Sequence, residues 1–337
     1  MSTPLSRHTR AVVALAIAAV SSLFAGCTSS GDGATHKVAI VAYSVPKPAY
    51  DALAAAFTKT DAGKGATFSA SYGASGSQSK SVANGQAADY VAFSLEPDLT
   101  RLVPNTVAAD WNSGATKGMV SDSVVVIVVR KGNPKHIESW ADLVKPGVKI
   151  VTPDPASSGS AKWNILAAYT QAFAGGGNAS DASAYLTAFY RHTVSRPASG
   201  AEATTTFDSG TGDALISYEN EAISARAKGA DVDYVVPDAT FLIENPAAVT
   251  EDASQTAKDF LAYALSTAGQ QIFAANGFRP VVAGVDPGTV KGANDPSEPF
   301  PKVDTLTTIA DLGGWSKVNE TFFGDDGIVT KIADEVG

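Results

Sequence analysis

Apolar residues in this chain fall into two patterns that alternate along most of its length. Continuous apolar runs, such as residues 37–43 and 124–129, are typical of strands that are buried on both faces. Segments between such runs carry apolar residues at helical spacing, as residues 50–57 do. Strands that alternate with helices in this way predict an α/β fold built on a parallel sheet.

The same two patterns locate the other elements. Apolar runs predict further strands at residues 67–72, 89–93, 148–151, 214–218 and 232–236. Helical spacing predicts further helices at residues 163–173, 185–190, 260–265 and 270–275. Ser139, followed three residues later by Asp142, is typical of a capping box that begins a short helix.

Three of the predicted turns from strand to helix are rich in Ser, Gly and Ala. They lie at residues 73–78, 157–160 and 199–207. The first N–H groups of a helix have no partner inside it and the helix dipole is positive there, so such a turn can bind an anion. A serine at a single helix start is explained equally well as an ordinary N-cap. Ligands of open α/β sheets, however, bind at the carboxyl ends of the strands, so three such turns together predict a site for a small anion.

The N-terminus has the features of a targeting segment. Arg7 and Arg10 precede an apolar run at residues 11–26, and Cys27, the single cysteine of the chain, follows directly. The sequence Phe-Ala-Gly-Cys that ends at Cys27 resembles the lipobox of bacterial lipoproteins, although that motif usually has Leu where Phe24 stands. The resemblance implies a signal peptide at residues 1–26, lipidation of Cys27 and a flexible tether at residues 27–36. The alternative is a transmembrane anchor, for which the run is short, since a span needs about 20 residues.

Composition narrows the classes of function. With 337 residues, of which 45% are hydrophobic and 18% charged, the chain is long enough for two globular domains. Its formal charge is −9, and without Arg7 and Arg10 the balance is 23 basic to 34 acidic residues, or −11. This charge argues against nucleic acid as a partner. It also means that an anion must be held by local dipoles and neutral donors, because the overall field repels it.

Catalytic and metal-binding alternatives have weaker signals. Ser77 and Lys80 match the S-x-x-K motif of penicillin-recognising acyltransferases, so an acyl-serine enzyme stays open as an alternative. The companion motifs S-D-N and K-T-G are absent from the sequence. The four histidines are scattered along the chain, which argues against a histidine metal site, and no P-loop motif is present. We therefore expect no enzymatic activity, no metal and no cofactor.

Several motifs resemble those of the sulfate-binding proteins of ABC importers, and the likeness covers nearly the whole chain after residue 36. They lie at residues 131–135 (Lys-Gly-Asn-Pro-Lys), 140–143, 145–148, 152–159, 162–164, 212–216, 219–222, 278–280 (Phe-Arg-Pro) and 313–315 (Gly-Gly-Trp). The resemblance implies an α/β fold of the type II periplasmic-binding-protein class, with two lobes, a hinge and an interlobe cleft. It places one lobe at residues 37–118 plus 247–337 and the other at residues 119–246.

In that family, neutral donors hold a dehydrated sulfate between the lobes. Carried over by position, the resemblance implies that Ser158 donates its hydroxyl and that Gly159 and Ser160 donate backbone N–H groups. The other implied sulfate-binding residues are Ser44, Ser75, Ala201 and Tyr218. The implied function is that of a monomeric lipoprotein on the extracytoplasmic face of the cell membrane, which delivers sulfate to an ABC permease and its ATPase. Thiosulfate, phosphate and molybdate remain alternative ligands.

Three positions depart from the family pattern. Tyr218 stands where the family has an indole donor, Glu202 where it has an Arg, and Asp154 where it has an Asn. A carboxylate that lines the site would repel sulfate, but it would accept a hydrogen bond from protonated phosphate. The choice between the two anions therefore depends on whether Asp154 points into the site.

Overall fold

The computed structural model describes residues 36–336. The strands in that range are β1 (Lys37–Tyr43), β2 (Thr67–Gly73), β3 (Tyr90–Ala92), β4 (Met119–Arg130), β5 (Ile150–Val151), β6 (Thr193–Ser195), β7 (Ala214–Tyr218), β8 (Val232–Val235), β9 (Ala239–Val249) and β10 (Thr305–Thr307). All the predicted strands are present. The apolar pattern does not predict β6, β9 or β10.

Helices cover both sides of the strands. They are α1 (Lys47–Phe57), α2 (Ser75–Ala83), α3 (Glu96–Thr100), α4 (Trp140–Leu143), α5 (Gly159–Ala174), α6 (Ala179–His192), α7 (Gly200–Asp208), α8 (Glu219–Ala227), α9 (Gln255–Ala264), α10 (Thr267–Ala275), α11 (Trp315–Val318) and α12 (Ile328–Val336), and a π-helical turn at Asn319–Phe323 follows α11. The predicted capping box of α4 is present, with Ser139 as its N-cap and Asp142 at its third position.

The sheet runs in the order β2-β1-β3-β9-β4-β7-β5-β6, with β10 beside β9 and β8 beside β4. Strand β1 is parallel to β2 and β3, and β5 is parallel to β6 and β7. The pairs β3–β9, β9–β4 and β4–β7 are antiparallel. The predicted parallel sheet is therefore present as two parallel blocks, and antiparallel strands join them.

The two parallel blocks are the centres of two lobes, and β9 links them. Residues Ala247, Ala248 and Val249 pair with β3, whereas the preceding part of β9, from Leu242 to Pro246, pairs with β4. Because the single strand β9 pairs with β3 at one end and with β4 along the preceding part, it joins the two blocks at the middle of the sheet. The molecule therefore has the predicted two-lobe, type II architecture, in which the cleft lies at the carboxyl ends of the parallel strands.

The C-terminal segment packs on elements that follow β4 in the sequence. Strand β10 pairs with β9 at Phe241. The ring of Trp315 meets the ring of Trp163 on α5 at a centroid distance of 4.9 Å. The guanidinium of Arg191 on α6 lies 2.8 Å from the carboxylate of Glu335 on α12. These contacts are with elements of the second lobe, whereas the sequence-based boundaries group residues 247–337 with the first, and those boundaries remain a prediction.

A membrane-spanning helix is not found in the part of the chain that the structure describes, since no helix between residues 36 and 336 is long and apolar enough to cross a bilayer.

Candidate anion-binding site

Ser158 is the N-cap residue of α5, but its hydroxyl does not cap this helix. Within the described residues, no side-chain capping bond is found at this helix start, and Ser158 is buried, with 3% of its surface exposed. The N-cap serines of α7, α9 and α10 behave differently, because each accepts a bond from an N–H of its own helix. Ordinary capping therefore does not account for Ser158, and its hydroxyl is not used by the helix that it begins.

The other two small-residue turns meet the start of α5. The N–H of Gly76, in the first turn of α2, donates to the carbonyl oxygen of Ser157 at 3.3 Å. Gly200, the first residue of α7, lies against Ser160, since a Cβ at Gly200 would be 2.8 Å from Ser160 Oγ. The N-termini of α2, α5 and α7 thus meet in one place. Each contributes N–H groups that its own helix does not use, together with the positive end of its dipole.

Gly159 is needed because the first lobe approaches α5 closely. A Cβ at Gly159 would lie 2.4 Å from Ser94 Oγ and 2.8 Å from Leu95 Cγ. Both neighbours follow β3, so any side chain at this position would push the two lobes apart. The absence of a side chain also leaves the N–H at the start of α5 open to a ligand.

Ser75 begins α2, and its hydroxyl is used inside the protein. It donates to Asp98 Oδ2 at 2.6 Å and accepts from the N–H of Ser94 at 3.0 Å. Since a serine hydroxyl has a single proton to donate, the group of Ser75 that can still donate to an anion is its backbone N–H. Asp98 and Ser94 hold the turn that presents this N–H.

Tyr218 ends β7, and its phenol reaches the start of α5. The side chain is fully buried, and its oxygen lies 2.6 Å from Ser94 Oγ. Burial raises the pKa of the Tyr218 phenol, although the neighbouring side chains of Ser160, Ser94 and Asn245 lower it. The phenol is therefore protonated at neutral pH and is a neutral hydrogen-bond donor.

Ser44 and Ala201 face each other across an open cleft. The cleft has a volume of about 310 Å³ and lies between the end of β1 with α1 on one side and α7 with α8 on the other. Gly200 lies between Val45, which lines the cleft, and Ser160, since a Cβ at Gly200 would be 3.1 Å from Val45 Cγ2 and 2.8 Å from Ser160 Oγ. The predicted residues Ser44 and Ala201 therefore border the same region as Ser160, from the side of the cleft.

Glu221 on α8 is a buried carboxyl group beside Gly200. Its Oε2 accepts from Ser217 Oγ at 2.8 Å, and its Oε1 accepts from Thr204 Oγ1 at 3.1 Å. Burial raises the pKa of Glu221, whereas the two hydroxyl donors lower it. A Cβ at Gly200 would lie 3.1 Å from Glu221 Oε2. The site thus has a titratable group at its edge that the sequence analysis did not single out.

The two carboxylates that depart from the family pattern are engaged elsewhere. Asp154 Oδ1 accepts from the N–H of Ala156 at 2.9 Å, and the residue lines a separate outer cavity together with Lys162 and Arg196. Glu202 is exposed and accepts from the hydroxyl of Ser199 at 3.2 Å. Asp154 is therefore turned towards its own loop, and Glu202 towards its helix cap.

A family model described as bacterial extracellular solute-binding protein matches residues 38–279. The chain belongs to this family. Its members act outside the cytoplasm, so this solute-binding protein is extracytoplasmic.

The names of individual relatives indicate which solutes similar proteins bind. A sulfate-binding protein of Synechococcus elongatus is 37% identical over 321 residues, which cover 92% of this chain and 90% of the relative. A thiosulfate-binding protein of Pseudomonas aeruginosa is 32% identical over 307 residues, which cover 87% of this chain and 90% of the relative. The solved structure of the sulfate-binding protein SubI from Mycobacterium tuberculosis H37Rv matches with a TM-score of 0.80 at 44% identity, covering 86% of this chain and 99% of SubI. The predicted resemblance to sulfate-binding proteins and the predicted fold are both confirmed.

Membership of this family also rules out the alternative of an acyl-serine enzyme. Proteins of the family bind solutes, so this chain is not an enzyme, and the S-x-x-K match at Ser77 and Lys80 carries no catalytic meaning. Both side chains are exposed on α2. Between residues 36 and 336, no group of three or more His, Cys, Asp or Glu residues is placed to hold a metal ion. The predicted signal peptide and lipidation site at Cys27 lie outside the described residues.

The sequence analysis missed two residues that the solute-binding protein brings to the centre of this region. The carbonyl oxygen of Ser94 accepts from Trp163 Nε1 at 3.0 Å and from Asn245 Nδ2 at 3.2 Å. Ser94 follows a predicted strand, at the edge of the sheet where ligands bind, so its position was an available signal. Asn245 lies in β9, which the apolar pattern does not predict, and nothing local in the sequence marks it.

Proposed function

We propose that this solute-binding protein captures sulfate between its lobes and delivers it to an ABC permease and its ATPase. The observation that carries the proposal is the meeting of three helix N-termini, those of α2, α5 and α7, beside buried neutral hydroxyl groups. Sulfate offers acceptor oxygens and, at neutral pH, no proton, so a site built from neutral donors fits it. The names of the relatives support the same ligand.

Each residue has a role in this proposal. Ser158 donates its hydroxyl, which α5 leaves unused. Gly159, Ser160, Ser75 and Ala201 donate backbone N–H groups from the three helix starts, and Ser44 donates from the end of β1. Tyr218 donates its phenolic proton in place of an indole. Charge-assisted hydrogen bonds of this kind contribute about 1.5–3 kcal/mol each.

Ligand capture closes the lobes. The bond from Gly76 to Ser157 joins the first lobe to the second, as does the contact between Ser94 and Tyr218. A sulfate that contacts α2 on one side and α5 on the other favours the state in which these contacts are made. The closed form then presents one defined surface to the permease.

The location at the membrane is also part of the proposal. Cys27 carries the lipid, residues 1–26 are removed, and residues 27–36 tether a monomeric receptor to the cell membrane. Metabolic labelling with an alkyne fatty acid tests this in cells that express the full chain. Label on the wild type and none on the Cys27→Ala variant is the expected result, whereas equal labelling of both would reject Cys27 as the lipidation site.

Calorimetric titration of the mature protein with a panel of sodium salts tests the ligand. The panel contains sulfate, thiosulfate, molybdate, phosphate and nitrate at constant ionic strength. Sulfate is expected to bind most tightly, and nitrate, which is planar and singly charged, to bind weakly or not at all. A protein that binds none of the tetrahedral anions would refute the proposal.

Phosphate is the second candidate, and one observation favours it. Asp154 does not enter the site, but the buried carboxyl of Glu221 lies beside Gly200 and is an acceptor for a protonated ligand. The Glu221→Gln variant separates the two ligands, because a neutral amide keeps the shape of the side chain and cannot ionise. If sulfate is the ligand, its affinity rises or is unchanged in this variant. If protonated phosphate is the ligand, its affinity falls because an amide oxygen is a weaker acceptor for the phosphate proton than a carboxyl group that can ionise.

A further inference from the structure

Six buried side-chain atoms in the described chain have no hydrogen-bond partner. Three of them are amide acceptor oxygens, Oδ1 of Asn164, Asn220 and Asn245, and a fourth is the carboxyl oxygen Oδ1 of Asp122. The other two are the phenolic groups of Tyr43 and Tyr190, which can donate. A fully ionised oxyanion needs donors, so the amide oxygens are not relevant to it. Asp122 lies within β4 and not at a helix start, which leaves the two phenols.

The two phenols lie in different parts of the molecule. Tyr190 lines the outer cavity with Asp154 and Arg196, away from the helix starts. Tyr43 is the last residue of β1, and the next residue, Ser44, lines the interlobe cleft. In the sheet, Tyr43 pairs with Gly73, which ends the strand before α2. Tyr43 is thus positioned between two of the turns that form the proposed site.

The surroundings of the Tyr43 hydroxyl also point to this site. The residue is 97% buried, with 3% of its surface exposed. Burial is the main cause that raises the pKa of the Tyr43 phenol, and the next causes are the phenol of Tyr218 and the carboxyl of Glu221. Both of these groups belong to the region around Ser160 and Gly200. A buried hydroxyl without a partner is unfavourable unless something supplies an acceptor.

We propose that the Tyr43 hydroxyl donates a hydrogen bond to the bound oxyanion and adds a ligand contact from the first lobe. This assignment rests on the proposed function, since it requires an oxyanion at the starts of α2, α5 and α7. Tyr43 is then the first-lobe counterpart of Tyr218 in the second lobe. The two phenols contact the anion from opposite lobes, so both contacts are complete only when the lobes are closed.

The Tyr43→Phe variant tests the proposal, because it removes the hydroxyl and keeps the ring. Titration of the mature protein with sodium sulfate is expected to show a Kd at least about 10-fold higher than that of the wild type. Tyr50→Phe is the matched control. Tyr50 is also a buried first-lobe tyrosine, but its oxygen has a partner in the oxygen of Tyr90 at 3.2 Å. The control variant is expected to bind sulfate with the wild-type Kd.

Thermal unfolding without sulfate separates a ligand contact from a structural one. Tyr43→Phe removes a group without a partner, so its unfolding temperature is expected to equal or exceed that of the wild type. Tyr50→Phe removes one hydroxyl of a bonded pair and is expected to unfold at a lower temperature. The rise in unfolding temperature on addition of sulfate is expected to be smaller in Tyr43→Phe than in the wild type.

The outcomes are distinct. A wild type that binds no tetrahedral oxyanion overturns the proposed function and the role of Tyr43 with it. A wild type that binds sulfate, together with an unchanged Kd in Tyr43→Phe, overturns the role of Tyr43 alone and indicates that a resident water satisfies the phenol. A loss of unfolding temperature in sulfate-free Tyr43→Phe as large as that in Tyr50→Phe also overturns it, because the hydroxyl then has a structural partner.

Discussion

The hydroxyl of Ser94 lies 2.6 Å from the phenolic oxygen of Tyr218, although the two residues are 124 positions apart in the sequence. Ser94 follows β3 in the first lobe, and Tyr218 ends β7 in the second, so this short contact joins the lobes next to the start of α5. Ser94 also touches Gly159 and accepts bonds from Trp163 and Asn245.

We expect Ser94 and Tyr218 to act on sulfate binding as a coupled pair. Ser94→Ala should weaken binding by about 0.5–1.5 kcal/mol, since it removes one hydroxyl from the contact. Tyr218→Phe should weaken binding by about 1.5–3 kcal/mol, since it also removes a charge-assisted bond to sulfate. The double variant should lose less than the sum of the two, with a coupling energy of about 1 kcal/mol. Calorimetry on the four proteins measures this cycle. Strict additivity would show that the contact contributes nothing to the ligand-bound state.

Ser158→Ala should weaken sulfate binding by about 1.5–3 kcal/mol, which is about 10- to 150-fold in Kd. Its effect on the stability of the free protein should be small, because the hydroxyl does not cap α5. Ser254→Ala is the matched control, since the Ser254 hydroxyl accepts from the N–H of Ala257 and caps α9. That variant should lose about 1 kcal/mol of stability and keep the wild-type Kd. If Ser158→Ala instead lost stability and kept the wild-type Kd, Ser158 would be a helix cap and not a sulfate ligand.

Asp122 should make the stability of the protein depend on pH. It lies on β4 directly opposite Glu244 on β9. Burial, followed by the charge of Glu244, raises the pKa of Asp122 to about 8, although Arg279 acts in the opposite direction. The folded state therefore holds this proton up to about pH 8, whereas the unfolded chain releases it near the ordinary value of 3.8.

The direction in which stability changes with pH follows from this difference in proton binding. The contribution of Asp122 to stability is most favourable below about pH 4, falls as pH rises by at most about 1.4 kcal/mol per pH unit, and levels off above about pH 8. Asp122→Asn has no such proton, so its unfolding temperature should exceed that of the wild type at pH 8, and the gap should narrow at pH 5. Thermal unfolding of both proteins between pH 5 and pH 8 checks this prediction. A difference in unfolding temperature that does not change with pH would show that Asp122 does not carry the proton.

Arg279 and Glu219 should contribute strongly to the stability of the native state. The guanidinium donates through Nε to Oε2 at 2.7 Å and through Nη2 to Oε1 at 3.0 Å. The Glu219 side chain is fully buried and that of Arg279 is 17% exposed. Arg279→Met leaves a buried carboxylate without its partner, which should cost about 3–5 kcal/mol of stability.

The exposed pair of Arg191 and Glu335 is the control for this ion pair. Its side chains are 61% and 58% exposed, so Arg191→Met should cost at most about 1 kcal/mol. Chemical denaturation of the three proteins gives the comparison. If the two substitutions lowered the free energy of unfolding equally, the burial of Glu219 would not determine how much stability is lost.

Sequence alone was sufficient for features that depend on local pattern. The alternation of apolar runs and helical spacing located β1, β4 and β7, because a strand buried on both faces must be apolar at every position. The three small-residue turns were also visible, because a helix start that leaves its N–H groups open cannot carry bulky side chains around them. The resemblance then supplied the fold class and the residues at the start of α5.

Tertiary structure decided what depends on partners that are distant in the sequence. Strand β9 was not predicted because Thr240, Glu244, Asn245 and Pro246 interrupt its apolar pattern. Two of these residues have partners that are distant in the sequence: Thr240 Oγ1 donates to the carbonyl oxygen of Val125 at 2.6 Å, and Asn245 Nδ2 donates to that of Ser94 at 3.2 Å. The direction of Asp154, the engagement of the Ser75 hydroxyl by Asp98 and the meeting of Ser94 with Tyr218 all depend on contacts of this kind. The sequence therefore determined which segments could bind an anion, and packing between the lobes determined which of their atoms are free to do so.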